Sequence, residues 1–327
     1  MVMAMVIMVS SIIMLFHLGY SELQFINMKS LKTPLRYPGG KSRALTKIFS
    51  HVPDLSGYDE YREPFVGGGS VAIHISKMYP KMEIWVNDLY PPLVNFWQQL
   101  QANGKRMRDK LTELKSRYSE PASAKGLFLD SKQYLHTSED PFWTALSFYI
   151  VNKCSYSGLT ESSSFSKMAS ENNFTQRGID RLPAFSQIIK NWTITNTTYQ
   201  DVMFDEQSER KAFIYLDPPY DIKDNLYGKK GDMHKGFDHD DFAKNCDECG
   251  FDLIVSYNSD QLIKDRFSKW SASEYAHTYT MRSVGDYMSK QKERKELLLF
   301  NYNREPKTQF SFGSCYNYDR LNSSGLT

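Results

Sequence analysis

The sequence predicts an α/β fold, in which a mostly parallel sheet carries helices on both faces and a helical, loop-rich insert interrupts the chain. One observation is a short strand at residues 58–64, followed by a loop of three glycines, a helix and a buried strand at 84–86. This is the order of a βαβ unit. The other observation is that short apolar strands recur along the chain between helical segments, as in a parallel sheet covered on both sides.

In the first half of the chain, each element follows from a local pattern. The turn-rich segment RYPGGKSRAL, near Leu35, leads into a helix that runs towards Val52. The segment SVAIHISKMY after the glycines predicts the crossover helix. Residues 89–135 have helical spacing with many charges, and residues 142–151 predict an apolar, aromatic helix. Residues 155–178 are rich in serine and asparagine and therefore predict loops.

In the second half, strands are predicted at residues 192–195 and 212–216, and the latter runs into a DPPY tetrapeptide. A basic, glycine-containing loop is predicted at 223–235, and a helix is predicted after Asp240. Residues 253–256 predict a buried strand. The final apolar segment ELLLFNY, at 296–302, is predicted to close the sheet.

Composition sets only broad limits. With 327 residues, of which 41% are hydrophobic and 24% charged, the chain is expected to form a packed globular core rather than a disordered region. The 40 basic and 38 acidic residues neither establish nor exclude nucleic-acid binding, because such binding needs local charge. Cys246 and Cys249 form a CxxC motif without a second ligand pair, so we expect no metal site and a reduced, cytoplasmic protein.

The first 19 residues are almost wholly apolar. Their length would suit a signal peptide or a marginal membrane helix, but no Lys or Arg precedes them and no cleavage site is evident. Our interpretation is that residues 1–27 are a non-functional extension ahead of Met28, with a membrane anchor as the open alternative.

The glycine loop and the acid after the next strand predict a nucleotide-cofactor site. Gly67, Gly69 and Ala72 fit the pattern GxGxxA, in which glycines let a ligand approach the backbone closely. Asp88 follows about 20 residues later, where an acid can accept the hydroxyls of a ribose. These residues alone fit NAD, FAD or S-adenosylmethionine equally well.

The tetrapeptide Asp217-Pro218-Pro219-Tyr220 separates these options. Its prolines fix the backbone and remove two N–H donors, so acceptor oxygens dominate the strand end. Such a site suits an amine substrate whose lone pair is delocalised, as in adenine, because acceptors holding its hydrogens favour a pyramidal nitrogen. The tyrosine offers a face on which a base can stack.

In order along the chain, the motifs RYPGGKSRAL, EPFVGGGSVA, VND, YLDPPY, DLIVSYNSD and ELLLFNY resemble the Dam-like family of DNA N6-adenine methyltransferases. The resemblance spans residues 35–302. It implies a doubly wound, Rossmann-like S-adenosylmethionine methyltransferase sheet with a target-recognition insert. It also implies direct methyl transfer from S-adenosylmethionine to N6 of a flipped adenine in double-stranded DNA.

The resemblance also implies roles for individual residues. The expected catalytic residues are Asp217, Pro218, Pro219 and Tyr220. The expected cofactor-binding residues are Tyr37, Lys41, Phe65, Gly67, Gly69, Asp88 and Asp217. The candidate contacts to the DNA backbone are Lys229, Lys230, Lys235, Arg282, Lys290, Lys292 and Arg294.

The implied domain organisation is a catalytic domain at 28–103 and 200–303, a target-recognition insert at 104–199, and a tail at 304–327. Many relatives carry a basic segment shortly after the position of Ser157-Gly158-Leu159. This chain has TESSSF instead, so the target GATC is a guess from the family alone. We expect a monomer that uses neither a metal nor a membrane, and the sequence leaves open a restriction endonuclease counterpart.

Other functions account for less of the sequence. An NAD- or FAD-dependent oxidoreductase would use the glycine loop but leaves the PGGK and DPPY motifs unexplained. A non-catalytic DNA-binding module, derived from a decayed methylase, is disfavoured by the intact DPPY motif. Methylation of RNA or protein amines usually involves a motif that begins with Asn. Cytosine-C5 methylation needs a cysteine nucleophile, and neither the glycine loop nor the DPPY motif contains one.

Overall fold

A computed structural model describes residues 30–158, 163–205, 210–220, 236–277 and 294–303. Within these ranges the strands are β1 (Glu60–Glu63), β2 (Glu83–Asn87), β3 (Trp192–Thr195), β4 (Ala212–Leu216), β5 (Asp252–Asn258), β6 (Ser271–His277) and β7 (Arg294–Phe300). The helices are α1 (Leu45–Phe49), α2 (Ser70–Met78), α3 (Pro91–Arg117), α4 (Pro121–Thr137), α5 (Pro141–Cys154), α6 (Lys167–Asn173), α7 (Gln176–Ile179), α8 (Leu182–Ile188), α9 (Tyr199–Met203), α10 (His239–Glu248) and α11 (Gln261–Arg266).

The strands form one sheet in the order β3-β2-β1-β4-β5-β7-β6. The first five strands of this order are parallel, and β7 pairs antiparallel with both β5 and β6. After β1, the chain adds β2 and then β3 on one side of β1. It then crosses over and adds β4 on the other side of β1. This reversal opens a crevice between the carboxyl ends of β1 and β4, where α/β sheets bind ligands.

Both faces of the sheet are buried, which confirms the predicted double winding. In β4, Phe213 and Tyr215 pack into one apolar core, whereas Ile214 and Leu216 pack into the other. Successive strand residues point to opposite faces, so a strand in which every residue is buried must be covered on both sides. The larger core also contains residues of α1 to α5, α7 and α8, and the smaller core contains residues of α10 and α11.

Two sequence predictions differ from the structure. The described part of the serine-rich stretch 155–178 contains helix α6 and the first three residues of α7. Ser166 and Thr175, which suggested loops, are instead N-caps that accept hydrogen bonds from Ala169 N and Gly178 N.

The second difference is at the edge of the sheet. The segment predicted to close the sheet forms β7, which lies between β5 and β6, so the edge strand is β6. Much of β6 is exposed, and its sequence, SASEYAH, has few apolar residues. The sequence analysis therefore predicted no strand there.

The domain division stays a prediction. The long helix α3 has a non-helical residue, Asn103, at the predicted start of the insert. Strand β3 falls inside the predicted insert range 104–199 but is part of the sheet. The apolar segment 1–27, the loop 223–235 and the tail 304–327 lie outside the described residues. Over the described ranges, no helix has both the length and the apolar character needed to cross a membrane.

Candidate active site

A cavity of about 260 Å³ lies at the carboxyl ends of β1, β2 and β4. The loops that follow these three strands form most of its wall, and the PGGK segment forms another part. Nine of the sequence-predicted site residues line it: Tyr37, Lys41, Phe65, Gly67, Gly69, Asp88, Asp217, Pro218 and Pro219. The fold therefore brings together residues that are up to 182 positions apart along the chain, from Tyr37 to Pro219.

The glycine loop packs against Tyr37. Gly67 and Gly69 have φ angles of 45° and 67°, in the left-handed region that side chains rarely adopt. A Cβ atom on Gly67 would lie 3.0 Å from the Tyr37 ring. The loop is thus a cradle whose backbone faces the cavity directly, as the GxGxxA pattern predicts.

Asp88 lies beyond β2 and holds the glycine loop. Its Oδ2 accepts a hydrogen bond from Gly67 N at 3.0 Å, and its Oδ1 accepts one from Tyr90 N at 3.1 Å. Burial raises the pKa of Asp88 to about 6, although these hydrogen bonds oppose the shift. A carboxylate has about four lone-pair sites, and hydrogen bonds from the backbone of Gly67, Tyr90 and Leu89 use three of them, so Asp88 can still accept from a ribose hydroxyl.

Lys41, which is buried, and Asp217, whose side chain is 20% exposed, form an ion pair on the cavity wall. Lys41 Nζ lies 2.7 Å from Asp217 Oδ1 and also donates to Gly39 O at 3.0 Å. Burial raises the pKa of Asp217 to about 6, Lys41 opposes this shift, and Glu296 adds to it. Burial lowers the pKa of Lys41, but the surrounding carboxylates, Asp217 first among them, outweigh burial and raise it overall.

Tyr220 lies beside this pair rather than on the cavity wall. Its ring stacks on Tyr257, with centroids 5.8 Å apart and planes 27° apart, and Lys41 Nζ lies 4.8 Å from its centroid. Tyr257 is in turn hydrogen-bonded to His239 Nδ1. The DPPY tyrosine therefore presents its ring close to the carboxylate that precedes it by three residues.

An aromatic wall borders the cavity on another side. Phe65, Tyr199 and Phe237 line the cavity, with ring centroids 5.5 to 5.9 Å apart, and Phe242 packs behind them. Flat apolar rings at these distances can enclose a planar heterocycle.

The sequence predictions missed Glu63, Tyr199, Phe237 and Glu296. Glu63 ends β1, lines the cavity and accepts a hydrogen bond from Tyr61 Oη at 2.7 Å. Burial raises its pKa to about 8. Glu63 carries the same signal as Asp88 and Asp217, an acid at the carboxyl end of a parallel strand, and could have been identified from it. Phe237 and Tyr199 carry no such signal, because only the fold brings them to the cavity.

The candidate DNA contacts lie outside the part of the chain whose side chains are described. Lys229, Lys230, Lys235, Arg282, Lys290 and Lys292 lie outside the described residues, and Arg294 begins β7 with its side chain undescribed. Cys154, Cys246 and Cys249 are buried free thiols. In the part of the chain that the structure describes, no group of three His, Cys, Asp or Glu side chains could hold a metal ion.

Comparison with known proteins shows which family the chain resembles. A family model described as "D12 class N6 adenine-specific DNA methyltransferase" matches residues 37–281, which include the cavity residues from Tyr37 to Phe237. The type II methyltransferase M.MjaIII of Methanocaldococcus jannaschii is 23% identical over 261 residues, covering 70% of this chain and 86% of the relative. A DNA adenine methylase of Vibrio cholerae is 25% identical over 240 residues, covering 70% and 82%. The modification methylase StsI of Streptococcus sanguinis is 27% identical over 312 residues, covering 86% and 44%.

Proposed function

The chain belongs to the D12 class of N6 adenine-specific DNA methyltransferases and methylates adenine in DNA, and from that membership we propose that S-adenosylmethionine is its methyl donor and that Asp217 is its central catalytic residue. The observation that carries this proposal is the Lys41–Asp217 ion pair on the wall of a cavity that is also lined by the glycine loop and Asp88. Because relatives are named type II methyltransferases and modification methylases, we further propose a site-specific enzyme acting on double-stranded DNA, with a restriction endonuclease as a candidate counterpart.

The residues of the cavity fit the proposed donor. Asp88 would accept hydrogen bonds from the ribose, the aromatic wall of Phe65, Tyr199 and Phe237 would enclose the purine ring, and the bare backbone at Gly67 would allow close approach. When bound, S-adenosylmethionine supplies an electrophilic methyl group on a cationic sulfur.

The chemistry at Asp217 follows from what the adenine amine lacks. Its lone pair is delocalised into the ring, so the nitrogen becomes nucleophilic only when it pyramidalises. The Asp217 carboxylate would accept a hydrogen bond from the amine and would stabilise the positive charge that develops on nitrogen during methylation. The methylated nitrogen must then lose one proton, and an Asp217 oxygen is the acceptor at that position. Lys41 holds the other oxygen in place.

Tyr220 would stack on the flipped base. Reaching the amine requires the adenine to leave the duplex, because its amine is otherwise paired. A base stacked on Tyr220 would lie close to the Asp217 carboxylate, since the Lys41 ammonium ion contacts both side chains.

We expect kcat/KM for DNA to fall steeply in acid. Asp217 and Asp88 have pKa values raised to about 6, mainly by burial, and both would act as ionised acceptors. Activity should therefore be complete at pH 7.5 and lost as the pH falls through about 6. Well below that value the loss should approach about 100-fold per pH unit, because two protons bind. Initial rates between pH 5 and 8.5 test this, with circular dichroism at each pH as the fold control. A flat profile between pH 5 and 7 contradicts it.

Two measurements test the proposed function. Isothermal titration calorimetry should detect S-adenosylmethionine binding by the wild-type chain, and Asp88→Ala should weaken this binding about 10-fold or more. Single-molecule sequencing of DNA from a methylase-free host that expresses the chain should reveal N6-methyladenine within one sequence motif. Binding of a reduced nicotinamide without binding of S-adenosylmethionine would refute the proposed cofactor.

A further inference from the structure

Glu296, on strand β7, is a buried carboxylate that the mechanism above does not use. Its side chain is 1% exposed. In the sheet it is paired with Asn258 of β5 and Tyr275 of β6, and the Tyr275 hydroxyl donates a 2.6 Å hydrogen bond to Glu296 Oε2. Burying an acid away from water is costly unless its charge is compensated. A cation should therefore share its surroundings.

The strand pattern places Glu296 on the same face of the sheet as Asp217. It also places Glu296 at the same end of the sheet, where the parallel strands have their carboxyl ends. Glu296 alternates with Leu298 and Phe300, which belong to the same core as Tyr215 of β4. Asp217 is two residues beyond Tyr215, so its side chain projects to this face. Because β7 runs antiparallel to β5, the first residues of β7 lie beside the last residues of β5. They therefore lie at the end of the sheet where β4 also ends.

The shared cation is Lys41. Burial has the largest effect on the pKa of Lys41 and lowers it, but the charges of Asp217 and then of Glu296 raise it. Glu296, on the same face of the sheet as Asp217, is thus a second negative charge that acts on Lys41. Glu63 faces the same group, but burial raises its pKa to about 8, so it contributes less negative charge at neutral pH than an exposed carboxylate would. When Asp217 and Glu296 are both ionised, one cation faces two anions, and the cluster of Lys41, Asp217, Glu296 and Glu63 has an excess negative charge.

We propose that Glu296 is a specificity-determining residue, a second carboxylate against Lys41 whose excess negative charge favours the cationic methyl donor over its neutral sulfide product. The inference rests on the proposed use of S-adenosylmethionine. The donor and S-adenosylhomocysteine share every group except the methyl, and the donor alone carries the sulfonium charge. The charge of Glu296 lies behind the Lys41–Asp217 pair of the cavity wall and therefore acts on the difference between their affinities, so the release of product is favoured after each transfer.

The test is the ratio of two dissociation constants, that for S-adenosylhomocysteine divided by that for S-adenosylmethionine, measured by calorimetry at pH 7.5. Glu296→Gln keeps the shape of the side chain and an acceptor for Tyr275 but removes the charge. We expect this ratio to fall about 10-fold, the size of one charge acting through partly polarisable surroundings. A change in packing alone would weaken both ligands together and leave the ratio unchanged.

Two further variants bracket the result. Glu274→Gln removes an equal charge from the neighbouring strand β6, where Glu274 is exposed and paired with Lys264, and should leave the ratio unchanged. Tyr275→Phe removes the hydrogen bond that favours the ionised Glu296, and should lower the ratio in the same direction by a smaller factor. Should Glu296→Gln fail to fold, Tyr275→Phe decides the matter.

The possible outcomes separate the two proposals. In one outcome the wild-type chain binds both molecules, and Glu296→Gln has the same ratio of dissociation constants as the wild type. Tyr275→Phe takes the place of Glu296→Gln if the latter does not fold. This outcome overturns the role of Glu296 and leaves the proposed cofactor intact. A wild-type chain that binds neither molecule refutes the proposed cofactor, and the role of Glu296 falls with it.

Discussion

Replacing Asp217 is expected to lower kcat for adenine methylation by about 10²- to 10³-fold, the loss seen when one preorganised group that stabilises developing charge is removed. Asp217→Ala removes the acceptor outright. Asp217→Asn keeps the shape but places an N–H donor where the substrate amine also presents hydrogens. In either variant the nitrogen must pyramidalise, and lose its proton, without a carboxylate beside it. Rates under saturating DNA and cofactor give kcat directly, so weakened binding does not enter the comparison.

Asp252→Asn is the matched control for this substitution. Asp252 begins the adjacent strand β5, at the opposite end of the sheet from the cavity, where it accepts a hydrogen bond from Tyr58 Oη at 2.5 Å. The same change of an acid to its amide there should alter kcat by about twofold or less, since surface changes away from a site have small effects. Thermal unfolding of both proteins verifies the fold. An Asp217→Ala protein that is folded and as active as the wild type would show that the proposed mechanism is wrong.

Local patterns were enough to predict the parts of the site that follow strands. A glycine loop after β1, an acid after β2 and the DPPY motif after β4 each lie within a few residues of a strand end, and parallel strands bring their carboxyl ends to one edge. That rule placed Asp88 and Asp217 at one cavity, and the structure agrees. The catalytic and binding roles of these residues stay predictions.

The remainder depended on contacts that no local pattern encodes. Glu296 lies near the carboxyl ends of the parallel strands only because β7 pairs antiparallel with β5. These two segments are about 40 residues apart in the sequence. Phe237 joins the aromatic wall through tertiary packing. The helices α6 and α7 were missed for a different reason, because serine and threonine favour both loops and helix N-caps, and sequence composition does not distinguish the two.

The glycine loop depends on a second packing contact, and the expected effect of disturbing it is large. Gly69→Ala should lower the free energy of unfolding by about 2–4 kcal/mol, from a left-handed backbone that disfavours a side chain and from overpacking. The added Cβ would lie 2.7 Å from the ring of Trp97, which is fully buried against Trp192 and has little room to move. Urea denaturation measures the change.

Gly126→Ala is the control, because Gly126 lies within helix α4 with nothing near the added Cβ. This substitution should stabilise the protein by about 0.5–1 kcal/mol, since alanine favours the helix. A Gly69→Ala protein as stable as the wild type would contradict the packing argument.

The Trp97 indole N–H also donates to Gly67 O at 3.1 Å, so a displaced ring would pull on the loop itself. The same substitution should therefore weaken S-adenosylmethionine binding even where the protein remains folded, which couples the stability of the core to the shape of the cavity.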